Sequence, residues 1–478
     1  MDQQILVIGG GIGGLSIAAE LLRQGAAVTL LEKNETLGGR AGAQQEGDYT
    51  WPSGATAVLE PSQYERPFRL AGRDPAEYFT MRRLAMPCFW QQDKAAHFYA
   101  GDAEVMLERL SQTDERQCGH YLTYLADGEG RFRLRSQYER YAPTKSREER
   151  TLKGYGLSQP LEDWLNFLAA YPGGRSRDLR AQDTWQPAIM QLEGIWYIEG
   201  GLSAYAQALA RLVQELGGTI HTGEAAEEIV LAGGRAVGVR SRQGLYLADA
   251  VICAIDQPQG IKKLLPQLRW EEEEWQASCG IFVLHLLVDA HFPKLAAHNL
   301  ISGKKLTPSL EAAYKGNISR RPPLYLYRPA ALEAQHHGWE QLTVYCRVPN
   351  QLLRPKRWTA REKSKLIRHI LAVLTQVPAL EDLPQALRAM ACLTPIDMAR
   401  TYQTSGGSAF GPAQISGAAP QVPGLYWAGD WAAGRAGVHQ VLAHSQRVSQ
   451  TLLEQLAQDF ASELTPAGES ANLELSYT

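Results

Sequence analysis

The sequence predicts an α/β fold, in which a doubly wound, Rossmann-like domain with a β-hairpin insertion is combined with an inserted α+β domain. Three observations predict it. An apolar run at 4–8 leads directly into a glycine-rich turn and a helical pattern. A second block, 202–255, combines a helix with several short strands, and a third block places a strand before a long helical pattern at 438–456.

The first block reads as strand, turn, helix and strand. Residues 4–8 (QILVI) are apolar, residues 9–14 are GGGIGG, and residues 15–22 have helical spacing. Gly25 suits a helix stop, and 27–31 is apolar again. This order within about 30 residues is typical of the βαβ unit of a doubly wound sheet.

The later blocks extend the same domain. A helix is predicted at 204–216, and strands are predicted at 219–221, 250–254 and 425–428. Two further strands, 227–231 and 236–240, flank Gly233 and Gly234 and form the predicted hairpin.

The remaining sequence predicts a second domain. Strands are expected at 281–288, 324–327 and 341–347, and a helix at 361–374. We therefore predict a cofactor domain made of 1–75, 195–260 and 395–460, and a substrate domain made of 76–194 and 261–394. The polar tail 461–478 is expected to be disordered.

Composition excludes several classes of protein. The 478 residues include 48 basic and 51 acidic side chains, so nothing in the net charge of −3 favours a nucleic-acid partner. The six cysteines never fall at CxxC spacing, which suits a reducing compartment and argues against a zinc site or a disulfide framework. Apolar runs stay well below the roughly 18 residues of a membrane span. The N-terminal charges do not fit a signal peptide, so we expect a cytoplasmic protein.

Gly9, Gly11 and Gly14 satisfy the pattern GxGxxG between a predicted strand and helix. The first glycine makes the turn, the second lets the backbone approach a pyrophosphate, and the third allows close helix–strand packing. Glu32 follows at the end of the next strand, where an acid bonds ribose hydroxyls. The pattern therefore predicts a dinucleotide site, with a plain structural turn as the alternative.

Two further segments favour FAD over NAD. In 37–41 (LGGRA), two glycines bring the backbone close to the cofactor, and Arg40 can donate to the pyrophosphate. Residues 425–430 (LYWAGD) form a strand that ends in Asp430, which can bond the flavin ribityl chain.

These motifs resemble the flavin-containing amine oxidase superfamily and, within it, the carotenoid desaturase and isomerase family (phytoene desaturase and its relatives). Residues 194–201 (GIWYIEGG) are similar to that family's GxWYPxGG segment. The stretches GRAVGV, PPLYL and GSAFG at 234–239, 322–326 and 407–411 also match it. The resemblance spans residues 4 to about 455 and is weakest between 100 and 185.

Three positions depart from that family. The chain has Pro52-Ser53-Gly54-Ala55-Thr56 where the family usually has Asp before Gly-Pro-Thr, and Ile198 replaces a proline. Gly429-Asp430 stands where desaturases have GAGTHPGAGIPG, and this form is closer to isomerases, squalene-type oxidases and amine oxidases. The departures concern the substrate and the net reaction, not the cofactor.

The flavin ring is expected to lie between two backbone segments. Gly54-Ala55-Thr56 would lie along the isoalloxazine. The backbone of Gly437 and Val438, which opens the last long helix, would stabilise the negative charge of the reduced ring, although an ordinary helix start is the alternative. The predicted FAD contacts are Gly9, Gly11, Ile12, Gly13, Gly14, Glu32, Lys33, Gly39, Arg40, Gly54, Ala55, Thr56, Ala226, Gly429, Asp430, Gly437 and Val438.

The resemblance implies an FAD oxidoreductase of a hydrophobic isoprenoid polyene, a carotenoid precursor. The reaction would be desaturation by hydride transfer to flavin N5 or flavin-dependent cis–trans isomerisation. Amine oxidation is an alternative and predicts an aromatic cage, to which Trp431 and Tyr426 would contribute. A prenyl-binding, non-enzymatic chaperone of the GDP-dissociation-inhibitor type is the third interpretation.

No catalytic residue and no metal site is predicted. His439 adjoins the flavin helix, where a cap or packing role is equally expected.

The basic segment 131–153 with its aromatic residues could rest on an anionic bilayer, but a solvated helix or loop is the simpler interpretation. The sequence leaves the oligomeric state open.

Overall fold

The computed structural model describes residues 3–46, 49–84, 88–92, 95–97, 102–138, 152–170, 186–268, 275–333, 339–415, 421–433 and 437–464. Residues 139–151 of the basic segment and 465–478 of the predicted tail lie outside the described residues.

The strands of the described residues belong to several sheets. In chain order they are β1 Gln4–Ile8, β2 Ala27–Leu31, β3 Ala43–Glu46, β4 Tyr49–Pro52, β5 Met81–Arg83, β6 Cys88–Gln92, β7 Ala95–His97, β8 Trp196–Ile198, β9 Thr219–His221, β10 Ala226–Ala232, β11 Arg235–Ser241, β12 Leu245–Leu247, β13 Ala250–Cys253, β14 Trp275–Ala277, β15 Gly280–Val288, β16 His298–Ser302, β17 Leu324–Tyr327, β18 Glu340–Val348, β19 Leu387–Leu393, β20 Pro412–Ile415 and β21 Leu425–Trp427.

The α-helices lie between and around these strands. They are α1 Ile12–Arg23, α2 Pro61–Leu70, α3 Ala103–Thr113, α4 Glu115–Tyr138, α5 Gln159–Ala170, α6 Gln186–Glu193, α7 Gly201–Glu215, α8 Gln257–Leu264, α9 Leu306–Glu311, α10 Ala360–Leu374, α11 Leu383–Ala386, α12 Pro395–Tyr402, α13 Asp430–Ala433 and α14 Val438–Leu464.

A parallel sheet in the order β21-β13-β1-β2-β9 forms the centre of the Rossmann-like fold. The side chains of β1 alternate between two cores, as the period of a strand requires. Ile5 and Val7 pack in the core that includes residues of α1, α7 and α14, whereas Leu6 and Ile8 pack in a core shared with the β10-β11-β12 sheet. Layers on both faces of a parallel sheet are what a doubly wound fold needs.

A second, mostly antiparallel sheet has the order β19-β15-β18-β17-β16-β6-β7. One face of β15 and β18, with Phe282 and Val344, packs in a core with Ile370 of α10. Its strands all come from 76–194 and 261–394, whereas the strands of the parallel sheet come from 1–75, 195–260 and 395–460. The small sheets β5-β8 and β14-β20, however, each pair one strand from either predicted domain, so the domain division stays a prediction.

The predicted α/β fold is confirmed, and most predicted elements differ from the structure by one to three residues at their ends. The hairpin has a third strand, β12, that was not predicted, and its Leu245 and Leu247 are both exposed. Helix α14 continues to Leu464, so the tail predicted to begin at 461 starts inside a helix. Among the described helices, none has a stretch long and apolar enough to cross a bilayer.

Candidate functional site

A cleft of about 570 Å³ opens at the carboxyl ends of the parallel strands. Ile8, Leu31, Ala254 and Gly429 line it, at or just beyond the ends of β1, β2, β13 and β21. Ligands of doubly wound folds bind at this edge of the sheet. Every predicted FAD contact except Gly14 lines the cleft.

The glycine turn after β1 is shaped by backbone contacts. The amide of Gly9, whose φ is +105°, donates to the carbonyl of Leu31 at 2.8 Å. A Cβ on Gly14 would lie 1.9 Å from the carbonyl oxygen of Gly9, so this glycine allows helix and strand to touch. A Cβ on Gly11 would meet nothing within 4 Å and would point into free space. The missing side chain of Gly11 therefore leaves space for a ligand, and that of Gly14 lets α1 pack against the turn after β1.

Glu32 is buried at the end of β2, and its carboxylate faces the glycine turn. Its Oε2 accepts a hydrogen bond from the amide of Gly10 at 2.7 Å, and its Oε1 accepts one from the amide of Asn34 at 2.8 Å. Its neighbour Lys33 donates from Nζ to the carbonyl of Thr401 at 2.6 Å, and burial lowers the pKa of Lys33 below its ordinary value. Ala226, at the start of β10, lines the same part of the cleft.

Arg40 and Asp430 meet across the cleft although 390 positions separate them. Nη2 of Arg40 lies 2.6 Å from Oδ2 of Asp430, and Nη1 donates to the carbonyl of Ala409 at 3.1 Å. Burial alone would lower the pKa of Arg40, but the Asp430 carboxylate raises it above its ordinary value. The pair couples the segment after β2 to the segment after β21.

Thr56 makes a contact that the sequence did not indicate. Its Oγ1 lies 2.7 Å from the hydroxyl of Tyr325 on β17, and that hydroxyl lies 2.5 Å from Nδ1 of His298 on β16. Gly54 keeps this segment near the LGGRA turn, because a Cβ on Gly54 would lie 2.8 Å from the carbonyl oxygen of Arg40. The segment predicted to lie along the flavin thus touches the second sheet.

The start of α14 closes another side of the cleft. Gly437 has a φ of +122°, and the helix begins at Val438. The hydroxyl of Ser445, farther along α14, donates to the carbonyl of Gly13 at 3.2 Å. His439 is buried with its Nε2 3.4 Å from Glu60, and burial lowers its pKa to about 4. His439 is therefore neutral at neutral pH, and it also lines the cleft.

Asp256 lines the cleft and is a residue that the sequence analysis missed. It caps α8 and accepts hydrogen bonds from the amides of Gln259 and Ser405, from the hydroxyl of Ser405 and from Nε1 of Trp431 at 2.8 Å. Burial, with Asp430 contributing, raises the pKa of Asp256 to about 6. An Asp between the predicted strand 250–254 and Pro258 is a helix-start signal that could have found it.

A wall of the cleft on the side of the second sheet is apolar. We call it the apolar wall; it consists of Leu59, Phe167, Ile281, Leu310, Pro323, Tyr325, Tyr345 and Phe410. Arg347 is the charged side chain beside it. The acidic residues that line the described cleft are Glu32, Glu227, Asp256 and Asp430. Glu227 lies in β10, and the other three follow strands of the parallel sheet.

The aromatic cage expected for amine oxidation is not built from the residues proposed for it. Trp431 is buried and stacks on Trp275, with ring centroids 5.6 Å apart, and Tyr426 donates to Gln455 away from the cleft. Neither lines the cleft. On the apolar wall, the ring centroids of Tyr325 and Tyr345 are 5.4 Å apart. The two rings are in direct contact, which leaves no space for a substrate group between them.

Comparison with known proteins agrees with this architecture. The chain is 28% identical to a zeta-carotene-forming phytoene desaturase of Myxococcus xanthus, over 94% of each chain. It is 28% identical to a 4,4'-diapolycopene oxygenase of Methylomonas sp, over 86% of this chain and 88% of the other. An oxidoreductase structure from Methanosarcina mazei superposes with a TM-score of 0.65 at 15% identity, covering 94% of this chain and all of the other.

The sequence profile described as flavin containing amine oxidoreductase matches residues 12–453. The chain belongs to this family, and a flavin is the cofactor that the family implies.

Proposed function

We propose that this member of the flavin containing amine oxidoreductase family binds FAD and oxidises a hydrophobic isoprenoid polyene, a carotenoid precursor. The observation that carries the proposal is one cleft with two different walls. The predicted dinucleotide contacts form one wall, and the apolar wall faces the same space. Bound FAD would supply a hydride acceptor for desaturation, or the electrons for flavin-dependent cis–trans isomerisation.

The residues present fit FAD at each part of the cofactor. The Gly11 backbone leaves space for the pyrophosphate, and Glu32 lies where it can accept from a ribose. Arg40 and Asp430 supply one cation and one carboxylate for the pyrophosphate and the ribityl chain. The amides at the start of α14, after Gly437, would stabilise the electron-rich edge of the ring.

The apolar wall supports a polyene rather than an amine. A protonated amine needs a carboxylate or an open aromatic cage. The described residues of the apolar wall contribute no carboxylate, and the Tyr325 and Tyr345 rings are already in contact. A prenyl-binding chaperone is less well supported, because the open space at Gly11 and the Arg40–Asp430 pair suit a working dinucleotide site.

Substrate trials with the purified protein test the proposal. We expect a yellow protein that releases FAD on denaturation. Anaerobic mixing with phytoene or 4,4'-diapophytoene in detergent should bleach the flavin and give a product that absorbs at longer wavelength. Putrescine serves as the amine control and should leave the spectrum unchanged. Bleaching by putrescine with no change by either polyene would contradict the proposal and favour the amine oxidase alternative.

We also propose a cytoplasmic protein that makes peripheral contact with the inner face of a membrane, because its polyene would partition into lipid. The residues suggested for this contact lie in the basic segment 131–153. Co-sedimentation with anionic liposomes should fall several-fold when Arg133, Arg135 and Arg140 are replaced by Glu, since loss of positive charge weakens binding to anionic lipid. Unchanged co-sedimentation would remove the segment from the proposal.

A further inference from the structure

We infer that Tyr325 and His298 form a proton relay that receives the proton lost by the polyene during desaturation. The inference rests on the proposed function. Three observations support it. The Tyr325 hydroxyl is within hydrogen-bond distance of Thr56 and of His298, and Tyr325 lines the cleft.

The Tyr325 hydroxyl lies at the boundary between the predicted flavin contacts and the apolar wall. Thr56 belongs to the segment expected to lie along the flavin ring, and its Oγ1 is 2.7 Å from the Tyr325 hydroxyl. A carbon that reacts at the flavin must occupy the same part of the cleft. Of the two tyrosine hydroxyls of the apolar wall, that of Tyr325 is the one that contacts Thr56, so it would lie next to the reacting bond.

His298 stands behind Tyr325 and is closed off from water. Its Nδ1 lies 2.5 Å from the Tyr325 hydroxyl, and the two rings are stacked with an angle of 10° between them. His298 is 4% exposed, and its Nε2 has no hydrogen-bond partner among the described residues. Burial lowers the pKa of His298 to about 4, so the ring is neutral before the reaction. A neutral imidazole has one nitrogen able to accept a proton.

Forming one new double bond removes one hydride and one proton from two neighbouring carbons of the polyene. One carbon loses a hydride to the flavin, and the neighbouring carbon loses a proton, whose C–H electron pair becomes the new double bond. The proton goes to the oxygen of Tyr325 while the tyrosine's own proton moves to Nδ1 of His298. The imidazolium then returns its proton through Tyr325 to solvent after the product leaves.

A weak base suffices for this step. A carbon next to an electron-deficient conjugated chain is strongly acidic, so a neutral tyrosine–histidine pair can accept its proton. A carboxylate in the same place would be buried beside an apolar substrate at a high desolvation cost. The pair leaves the apolar wall uncharged between turnovers.

The test compares single-turnover flavin bleaching by phytoene in three variants. Tyr325→Phe should lower the rate at saturating phytoene by about 100-fold or more, the range of general acid–base catalysis, with little change in the half-saturating concentration. His298→Asn keeps an acceptor for Tyr325 but cannot take its proton, and should also lower the rate. The solvent deuterium isotope effect on bleaching should disappear in Tyr325→Phe.

His285→Asn is the matched control. His285 is also buried, with its Nδ1 3.0 Å from the hydroxyl of Thr343 and its Nε2 without a hydrogen-bond partner among the described residues, but it does not line the cleft. It should keep the wild-type rate. A readout that needs no turnover is the ¹⁵N NMR shift of His298 Nδ1, which should change in Tyr325→Phe if the two groups share a hydrogen bond.

The outcomes separate the relay from the proposed function. Bleaching by Tyr325→Phe within threefold of wild type, with flavin content intact, would overturn the relay and leave the proposed function standing. Equal rate losses in His298→Asn and His285→Asn, in step with their melting temperatures, would also overturn it. A wild-type protein that neither bleaches nor converts any polyene would overturn the proposed function and the relay together.

Discussion

Gly11→Ala is expected to leave the protein folded and to weaken flavin binding about tenfold or more. The Cβ would meet no protein atom within 4 Å, and the residue has an extended backbone that alanine adopts without strain. The methyl group would instead occupy the space predicted for the pyrophosphate. Steric overlap of this kind costs about 1–3 kcal/mol, or roughly 5- to 150-fold in affinity. Flavin titration and thermal melting of the apoprotein measure the two effects separately.

Gly14→Ala is expected to have the opposite effect: it should lower the stability of the fold rather than act on the flavin directly. Its Cβ would lie 1.9 Å from the Gly9 carbonyl oxygen, a contact between backbones that cannot move apart without separating α1 from β1. We expect the free energy of unfolding to fall by about 3 kcal/mol or more. Gly119→Ala, in an exposed turn of α4 with no atom within 4 Å of its Cβ, is the control for stability and should be neutral or slightly stabilising.

For the first of these two variants, normal flavin affinity in Gly11→Ala would contradict the predicted position of the pyrophosphate.

Asp256→Ala is expected to be strongly destabilising. It removes the acceptor of the Ser405 amide and hydroxyl, the Gln259 amide and the Trp431 indole. Each buried donor left without an acceptor costs about 1–3 kcal/mol, so for four donors we expect a loss of about 4 kcal/mol or more. Asp74→Ala is the control, because Asp74 is an exposed cap whose side chain accepts from Ala76 alone among the described groups, and it should cost about 1 kcal/mol.

The same residue predicts a pH dependence with a definite sign. The pKa of Asp256 is about 6 in the folded protein, above its ordinary value of 3.8. The folded protein therefore holds this proton more tightly than the unfolded chain, and the stabilisation is full below about pH 4 and is lost as the pH rises to about 6. The difference in unfolding free energy between wild type and Asp256→Ala should be larger at pH 4 than at pH 7. Denaturant titrations that show a difference growing with pH would contradict it.

The dinucleotide half of the site could be predicted because its signals are local. Gly9, Gly11 and Gly14 lie between one strand and one helix, and Glu32 follows at a spacing set by the βαβ unit. These residues depend on backbone conformation near their own positions. Asp430 was predictable for the same reason, since it comes just after a short strand and the Ala428-Gly429 pair.

The apolar half could not be predicted in the same way. Thr56, His298 and Tyr325 lie far apart in the sequence and meet only because β16 and β17 pair with a fixed register beside the glycine segment. Trp431 was assigned to the wrong environment, because its position next to Asp430 says nothing about which side of α13 faces Trp275. Helices α3 to α6 were not predicted, although the apolar spacing of Leu161, Trp164, Leu165 and Leu168 is a helical signal that could have found α5.

The contact between Gly13 and α14 joins positions 432 residues apart. A ribosome therefore releases most of the polypeptide before the helix that closes the cleft has been made. If FAD binds in this cleft as proposed, a nascent chain stalled before Val438 would lack the side of the cleft that α14 provides. We therefore expect stable flavin binding only after α14 has been made. Starving expressing cells of riboflavin should thus yield a folded pool that can be loaded later, without new protein synthesis.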